Sequence, residues 1–163
     1  SRPFGSIPEL IRVTAAERPT QPALILDGHT LNYAALDRLI DRITCSLQRD
    51  GLTPGQAVAV CASTSFEYVA LFLGVLRAGG LMTPLPPSAT PQNLSAMLAN
   101  SGANMLFLDQ ACSRAWSTDE QAAAGLNRIW LDNTSGDATA WSTWLSADTQ
   151  PRPVSPEPIG RSI

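Results

Sequence analysis

The sequence contains no lysine; all eleven of its basic residues are arginine. That absence excludes a Walker A lysine, a Schiff-base lysine and a Ser-x-x-Lys nucleophile pair from this chain. Gly74 and Gly79 have the spacing of a phosphate loop, but the residue that would reach a phosphate is missing, so the spacing reads as structural. Charge of either sign is scarce. Charged residues make up 15% of the chain, against the ~25% usual in globular domains. A polar surface this thin suggests that part of it is normally covered by other protein. The net charge of -3 offers no long-range attraction for nucleic acid or an anionic membrane.

Cysteine is equally sparse. Cys45, Cys61 and Cys112 are odd in number, widely spaced and without a CxxC pair. This argues against a disulfide framework or zinc site and fits a reducing cytoplasm, the expected location. The three read as small core or surface thiols. His29 is the only histidine and has no carboxylate or serine at a suggestive spacing. The longest apolar run, near Tyr68–Leu76, is too short to span a bilayer and is flanked by Glu67 and Arg77. No charged-then-apolar signal pattern opens the sequence.

A length of 163 residues suits one domain with a sizeable core. Ser6, Pro8 and Glu9 predict a helix start, with Ile7, Leu10, Ile11 and Ala15 as its apolar stripe. "ALIL", "DGHT" and "LNY" predict a short β-hairpin turning on Asp27–Gly28, with His29 in the turn. Asn32 can cap a helix whose apolar positions are Leu36, Leu39, Ile40, Ile43 and Leu47. The interleaved Asp37, Arg38, Asp41 and Arg42 read as a solvated face with weak pairs.

"AVAVC", residues 57 to 61, is the continuous apolar run of a strand covered on both faces. Ser63 or Ser65 caps the next helix, which is apolar almost all round and therefore expected to be buried on more than one side. In "LRAGGLMTPLPP", residues 76 to 87, Gly79 stops that helix and "LMTPL" follows as a strand beside "AVAVC", with Pro84 near its end. Thr90 and Pro91 start another helix, with Leu94, Met97 and Leu98 facing inward and Gly102 after its end. "MLFL" and, more weakly, "RIWL" are further strands; Trp141 and Trp144 suggest one turn of helix. The expected fold class is α/β, mainly a parallel sheet flanked by helices, with a short hairpin near the N-terminus. Residues 1–110 form its N-terminal subdomain, 111–150 an extension of it, and 151–163 a proline-rich extended linker. No internal repeat is present.

"LNYAAL" (31–36) resembles the first core motif of the adenylate-forming (AMP-dependent) acyl-CoA synthetase/ligase family, where Leu-Thr-Tyr-x-Glu-Leu is usual. "LRAGGLMTPLPP" resembles its second, a Leu-Lys-Ala-Gly helix end leading to a Pro-Leu-Asp-Pro or Pro-Leu-Asn-Pro turn. "GLTPGQAVAVCASTSFEYVALFLGVL" looks like the segment between them, and "SAMLANSGANMLFLD" like the one that follows. The resemblance covers about residues 7 to 110. Ala35 and Pro86 depart from it, standing where glutamate and Asp or Asn are usual; Pro86 tilts the reading toward acyl- or aryl-CoA ligases.

The resemblance implies a parent enzyme that joins a small-molecule carboxylic acid to ATP as an acyl-adenylate, then passes the acyl group to coenzyme A. ATP, Mg²⁺ and CoA are thereby implied for the parent, and none is expected to be bound by this chain alone. In the family the phosphate loop, the adenine-stacking aromatic, the ribose-binding Asp and the mobile C-terminal domain come after such a region. "PIGRSI" looks like the strand leading into that loop, so the chain is expected to be an N-terminal fragment, inactive alone. The alternatives are a fragment of a carrier-protein-loading adenylation domain or a non-catalytic interaction domain. No catalytic residue or metal ligand is expected here.

Open parallel sheets bind ligands off the carboxyl ends of their strands, here Ala62–Ser65 and Pro86–Thr90. Ser65 is read first as a helix cap and second as an anion contact; Ser88 is a coenzyme-facing candidate. The remainder of the ligase is expected to pack on the Phe66–Ala78 helix. Without it, Tyr68, Phe72 or Val75 would form a patch prone to self-association.

Overall fold

A computed structural model describes residues 7–114, 126–132 and 138–154. Helix α1 (Ile7–Glu17) leads into the hairpin strands β1 (Pro22–Leu26) and β2 (His29–Asn32), then α2 (Tyr33–Arg49). The chain continues through β3 (Ala57–Cys61), α3 (Phe66–Arg77), β4 (Leu81–Pro84), α4 (Pro91–Ser101) and β5 (Met105–Leu108). A four-residue α5 (Gln110–Ser113), β6 (Asn127–Trp130) and a single turn α6 (Trp141–Trp144) complete the described elements. Strands β4-β3-β5-β6 lie side by side in that order, and all three pairings are parallel. β4 is an edge strand, which lets Pro84 close it without breaking a ladder on its far side.

Alternation along the strands divides the core in two. Val58, Val60, Met105, Phe107 and Ile129 face α1, α2, α3 and α6. Ala59, Cys61, Leu106, Leu108 and Trp130 face α4 and α5 through Leu94, Leu98 and Cys112. Helices thus cover both faces, and β5 is buried at every position. α6 seals one end, with Trp144 set edge-on to Phe107 at 5.0 Å between ring centroids.

Local punctuation explains the boundaries. Asn32 and Thr90 cap α2 and α4 by accepting from the amides of Ala35 and Asn93. The hairpin turns on Asp27 and Gly28, both with positive φ, as a two-residue primed turn requires. Gly79, at φ +80°, ends α3 in the left-handed conformation. Gly74 matters for packing instead. A Cβ there would collide with Ile43 Cγ2, so the missing side chain lets α2 approach α3. The Thr44 hydroxyl donates to the Gly74 carbonyl at 3.2 Å across that contact.

Several expectations are corrected. On α1, Pro8 and Ile11 are buried, whereas Ile7 and Leu10 are exposed, because the helix meets its neighbours along a narrow seam. The Ser6 cap lies outside the described residues. His29 is the exposed first residue of β2, not part of the turn. Met97 faces outward on α4 while Leu94 and Leu98 point in. Val75 is fully buried and cannot belong to a surface patch; α3 packs on α2 and α1 as well as on the sheet. Tyr68 is half-buried and Phe72 is 38% exposed, leaving a smaller apolar surface on α3 than expected.

The charged face of α2 is also not simply solvated. Asp41 is 4% exposed and accepts two hydrogen bonds from Arg12, at 3.0 and 2.7 Å, and one from Arg77 at 2.9 Å. Arg77 also donates to Asp37 Oδ1 at 2.9 Å and to the Pro8 carbonyl at 2.7 Å. Two arginines and two aspartates therefore tie α1, α2 and α3 together with no net charge. The opposite edge of α2 holds residues 144–152. Arg42 Nε donates to the Ser146 carbonyl, Ser146 N to Ser46 Oγ, and Trp144 Nε1 to Asp50 Oδ2. Gln48 and Arg152 exchange two bonds, from Gln48 Nε2 to the Arg152 carbonyl and from Arg152 N to Gln48 Oε1. Residues 151–154 have no regular structure, as a linker would, yet Arg152 is docked; residues 155–163 lie outside the described residues.

Candidate functional site

Because all four strands of the sheet run parallel, their carboxyl ends share one edge. The loops there begin at Ala62, Leu85, Asp109 and Leu131. Strand-end amides hold them close to the sheet: Leu85 N donates to the Val60 carbonyl at 2.7 Å and Leu131 N to the Leu108 carbonyl at 2.8 Å.

Ser65 is the N-cap of α3, its hydroxyl oxygen accepting from Tyr68 N at 3.1 Å, while Glu67 places a carboxylate in the first turn. Both features already answer the positive end of the helix, which is the capping role read from sequence. Ser88 is exposed in the turn closed by Ala89 N on the Pro86 carbonyl at 3.1 Å. The structure puts both serines at the same edge of the sheet but supplies no contact between them.

Two carboxylates missed in the sequence organise this edge. Asp109 Oδ1 accepts from Cys112 N at 2.8 Å, capping α5, and its Oδ2 accepts from Ser63 N at 2.9 Å. One side chain therefore ties the loop after β3 to the loop after β5. Asp132 Oδ2 accepts from Gln110 N at 3.0 Å and brings in the loop after β6. The signal for both is a lone Asp just after an apolar strand, in "MLFLD" and "RIWLD".

The carboxylates described at this edge hold its loops together. Burial pushes the Cys61 and Cys112 thiols up from their ordinary range, and for Cys112 a hydrogen bond with the Asp109 carboxylate adds to the effect. Neither is a ready nucleophile, since the thiolate is the reactive form. Among the described residues no group of three or more His, Cys, Asp and Glu side chains could hold a metal ion. Asp109 and Asp132 commit oxygens to backbone amides, and no lysine is available. No described helix is long and apolar enough to cross a membrane.

The family model described as "AMP-binding enzyme" matches residues 11–160. A linear gramicidin synthase polypeptide of Brevibacillus parabrevis is 31% identical over 124 residues, covering 76% of this chain and 2% of that protein. The fatty acid–[acyl-carrier-protein] ligase ScoC of Streptomyces coeruleorubidus is 31% identical over 144 residues, covering 88% of this chain and 27% of that ligase. The chain therefore spans only a small part of these relatives. Among solved structures, coronafacic acid ligase from Pectobacterium brasiliense superposes with a TM-score of 0.78 at 16% identity, over 89% of this chain and 30% of that one. At that identity the likeness establishes the fold.

Proposed function

Since the chain belongs to the AMP-binding enzyme family, we propose that it is the N-terminal portion of an ATP-dependent acid–thiol ligase and is inactive alone. In the parent reaction a carboxylate oxygen attacks the α-phosphorus of ATP and pyrophosphate leaves. A thiol sulfur then attacks the acyl carbon of the adenylate, and AMP leaves as the thioester forms. The observation that carries this reading is the family match across residues 11–160. The contribution of this chain is scaffolding: it presents the loops after β3, β4 and β5, including Ser65 and Ser88, to a site completed elsewhere. The rest of the ligase packs against the exposed part of α3 around Phe72.

Two thiol acceptors fit. A carrier-protein thiol is favoured by the relatives, which include a gramicidin synthase polypeptide and a ligase named for an acyl-carrier protein. Coenzyme A is favoured by Pro86, where amino-acid-activating members usually have Asp. The test joins this chain to the downstream residues of its reading frame and measures carboxylate-dependent exchange of pyrophosphate into ATP. Exchange is expected from the extended protein and not from this chain alone. Exchange by this chain alone, or none from the extended protein with a broad acid panel, overturns the reading. Supplying coenzyme A or a phosphopantetheinylated carrier protein to the active form then distinguishes the acceptors.

A further inference from the structure

Cys61 and Cys112 come together although they are far apart in sequence. Cys61 ends β3 and is paired in register with Leu108, the last residue of β5. Just beyond Asp109, Cys112 sits in α5, held there by the bond from its own amide to Asp109 Oδ1. The other Asp109 oxygen holds Ser63 N, in the loop that leaves Cys61. Both side chains enter the same core cluster, at 1% and 3% exposure, and each thiol is among the groups that act on the other's proton affinity.

We propose that Cys61 and Cys112 are a modification site: a dithiol that closes to an intramolecular disulfide on exposure to a low-molecular-weight disulfide, RSSR. One thiol loses its proton and attacks RSSR, giving a mixed disulfide and RS⁻. The second thiolate attacks the protein sulfur of that bond and expels another RS⁻. The two protons end on two RSH, the cysteine sulfurs are oxidised by two electrons in all, and RSSR is reduced by two. Proximity favours the second step over accumulation of the mixed disulfide. Burial makes the first step slow, so the pair is a slow responder and not a catalytic centre. The bond would fasten α5 to β3 beneath the loops that Asp109 organises.

The test treats the full chain carrying Cys45→Ser with bis(2-hydroxyethyl) disulfide at pH ~8.5, without denaturant, where a larger share of thiol is ionised. The expected product is a monomer lighter by two hydrogens, with no free thiol, a 61–112 cross-linked peptide in the digest, and reversal by dithiothreitol. Its thermal midpoint should rise by about 5–10 °C, since a long loop is closed. Retention of two free thiols after prolonged exposure, a stable mixed disulfide, or cross-links only between molecules would each overturn the proposal. The single-variant protein needs neither cysteine of the pair removed, so a folding failure at either position cannot obscure the result.

Discussion

Arg77 Nη1 lies 2.9 Å from Asp41 Oδ1, joining α3 to α2 through a guanidinium side chain only 9% exposed. Removing one partner of such a pair leaves a charge in a site that excludes water, which is costlier than losing the attraction itself. Asp41→Ala should therefore destabilise the chain by about 2–3 kcal/mol, because it leaves the buried Arg77 with Asp37 as its remaining carboxylate partner. Arg12→Ala should cost about 1 kcal/mol or less, since half of the Arg12 side chain is in solvent. Urea unfolding of the two variants checks the ranking; equal losses would mean that burial of Arg77 does not govern the network.

Gly74 gives a sign prediction. In an exposed helix interior, Gly→Ala is stabilising by roughly 0.5–1 kcal/mol. Here the added methyl meets Ile43 Cγ2, and the neighbour is itself fully buried with little freedom to move. Gly74→Ala should destabilise by about 1–3 kcal/mol. Combining it with Ile43→Val or Ile43→Ala should recover part of that loss, a coupling measurable in a double-mutant cycle. Simple additivity would show that α2 and α3 separate freely to make room.

Gln48 holds the backbone of residue 152 as a neighbouring strand would, donating to its carbonyl and accepting from its amide. Gln48→Ala should cost about 1 kcal/mol and, more tellingly, abolish hydrogen-exchange protection at the Arg152 amide. Unchanged protection at Arg152 would count against this docking.

The parts of this fold legible in sequence are those decided within a few residues. Ser65, Thr90, Asn32, Gly79 and Gly102 mark helix ends by local geometry, so the order β3–α3–β4–α4–β5 follows from them. What stays hidden depends on partners far along the chain. Asp41 reads as a surface charge until Arg12 and Arg77, 29 and 36 residues away, are seen to converge on it. Val75 reads as a surface residue when α3 is set against one sheet face alone, whereas α1 and α2 cover its other sides. At the candidate site, the capping role of Ser65 is legible from its place before an apolar helix. The bridging roles of Asp109 and Asp132 are not, because each depends on which strands become neighbours.

The cysteines and the missing lysines together define an alkaline limit. Burial is the largest cause raising the Cys45, Cys61 and Cys112 thiols above their ordinary 9.0. Unfolding releases those thiols to ordinary values, so above about pH 9 the unfolded chain loses protons that the folded chain still holds. Fewer protons on the unfolded state mean that stability falls as pH rises. The contribution is thus intact below about pH 9 and is lost progressively between there and the raised folded values. Each well-buried thiol can contribute a slope of up to about 1.4 kcal/mol per pH unit. Cys61 and Cys112 should dominate, with Cys45 adding less because it is only half-buried. No lysine titrates in the same window, since the chain has none. Urea unfolding under a reductant at pH ~8, ~9.5 and ~10.5 should show little change up to about pH 9 and a steep decline beyond it. Replacing Cys61 and Cys112 by alanine should flatten the decline, whatever it does to stability at the lowest of these pH values. An unchanged slope in that double variant would assign the alkaline loss to other groups.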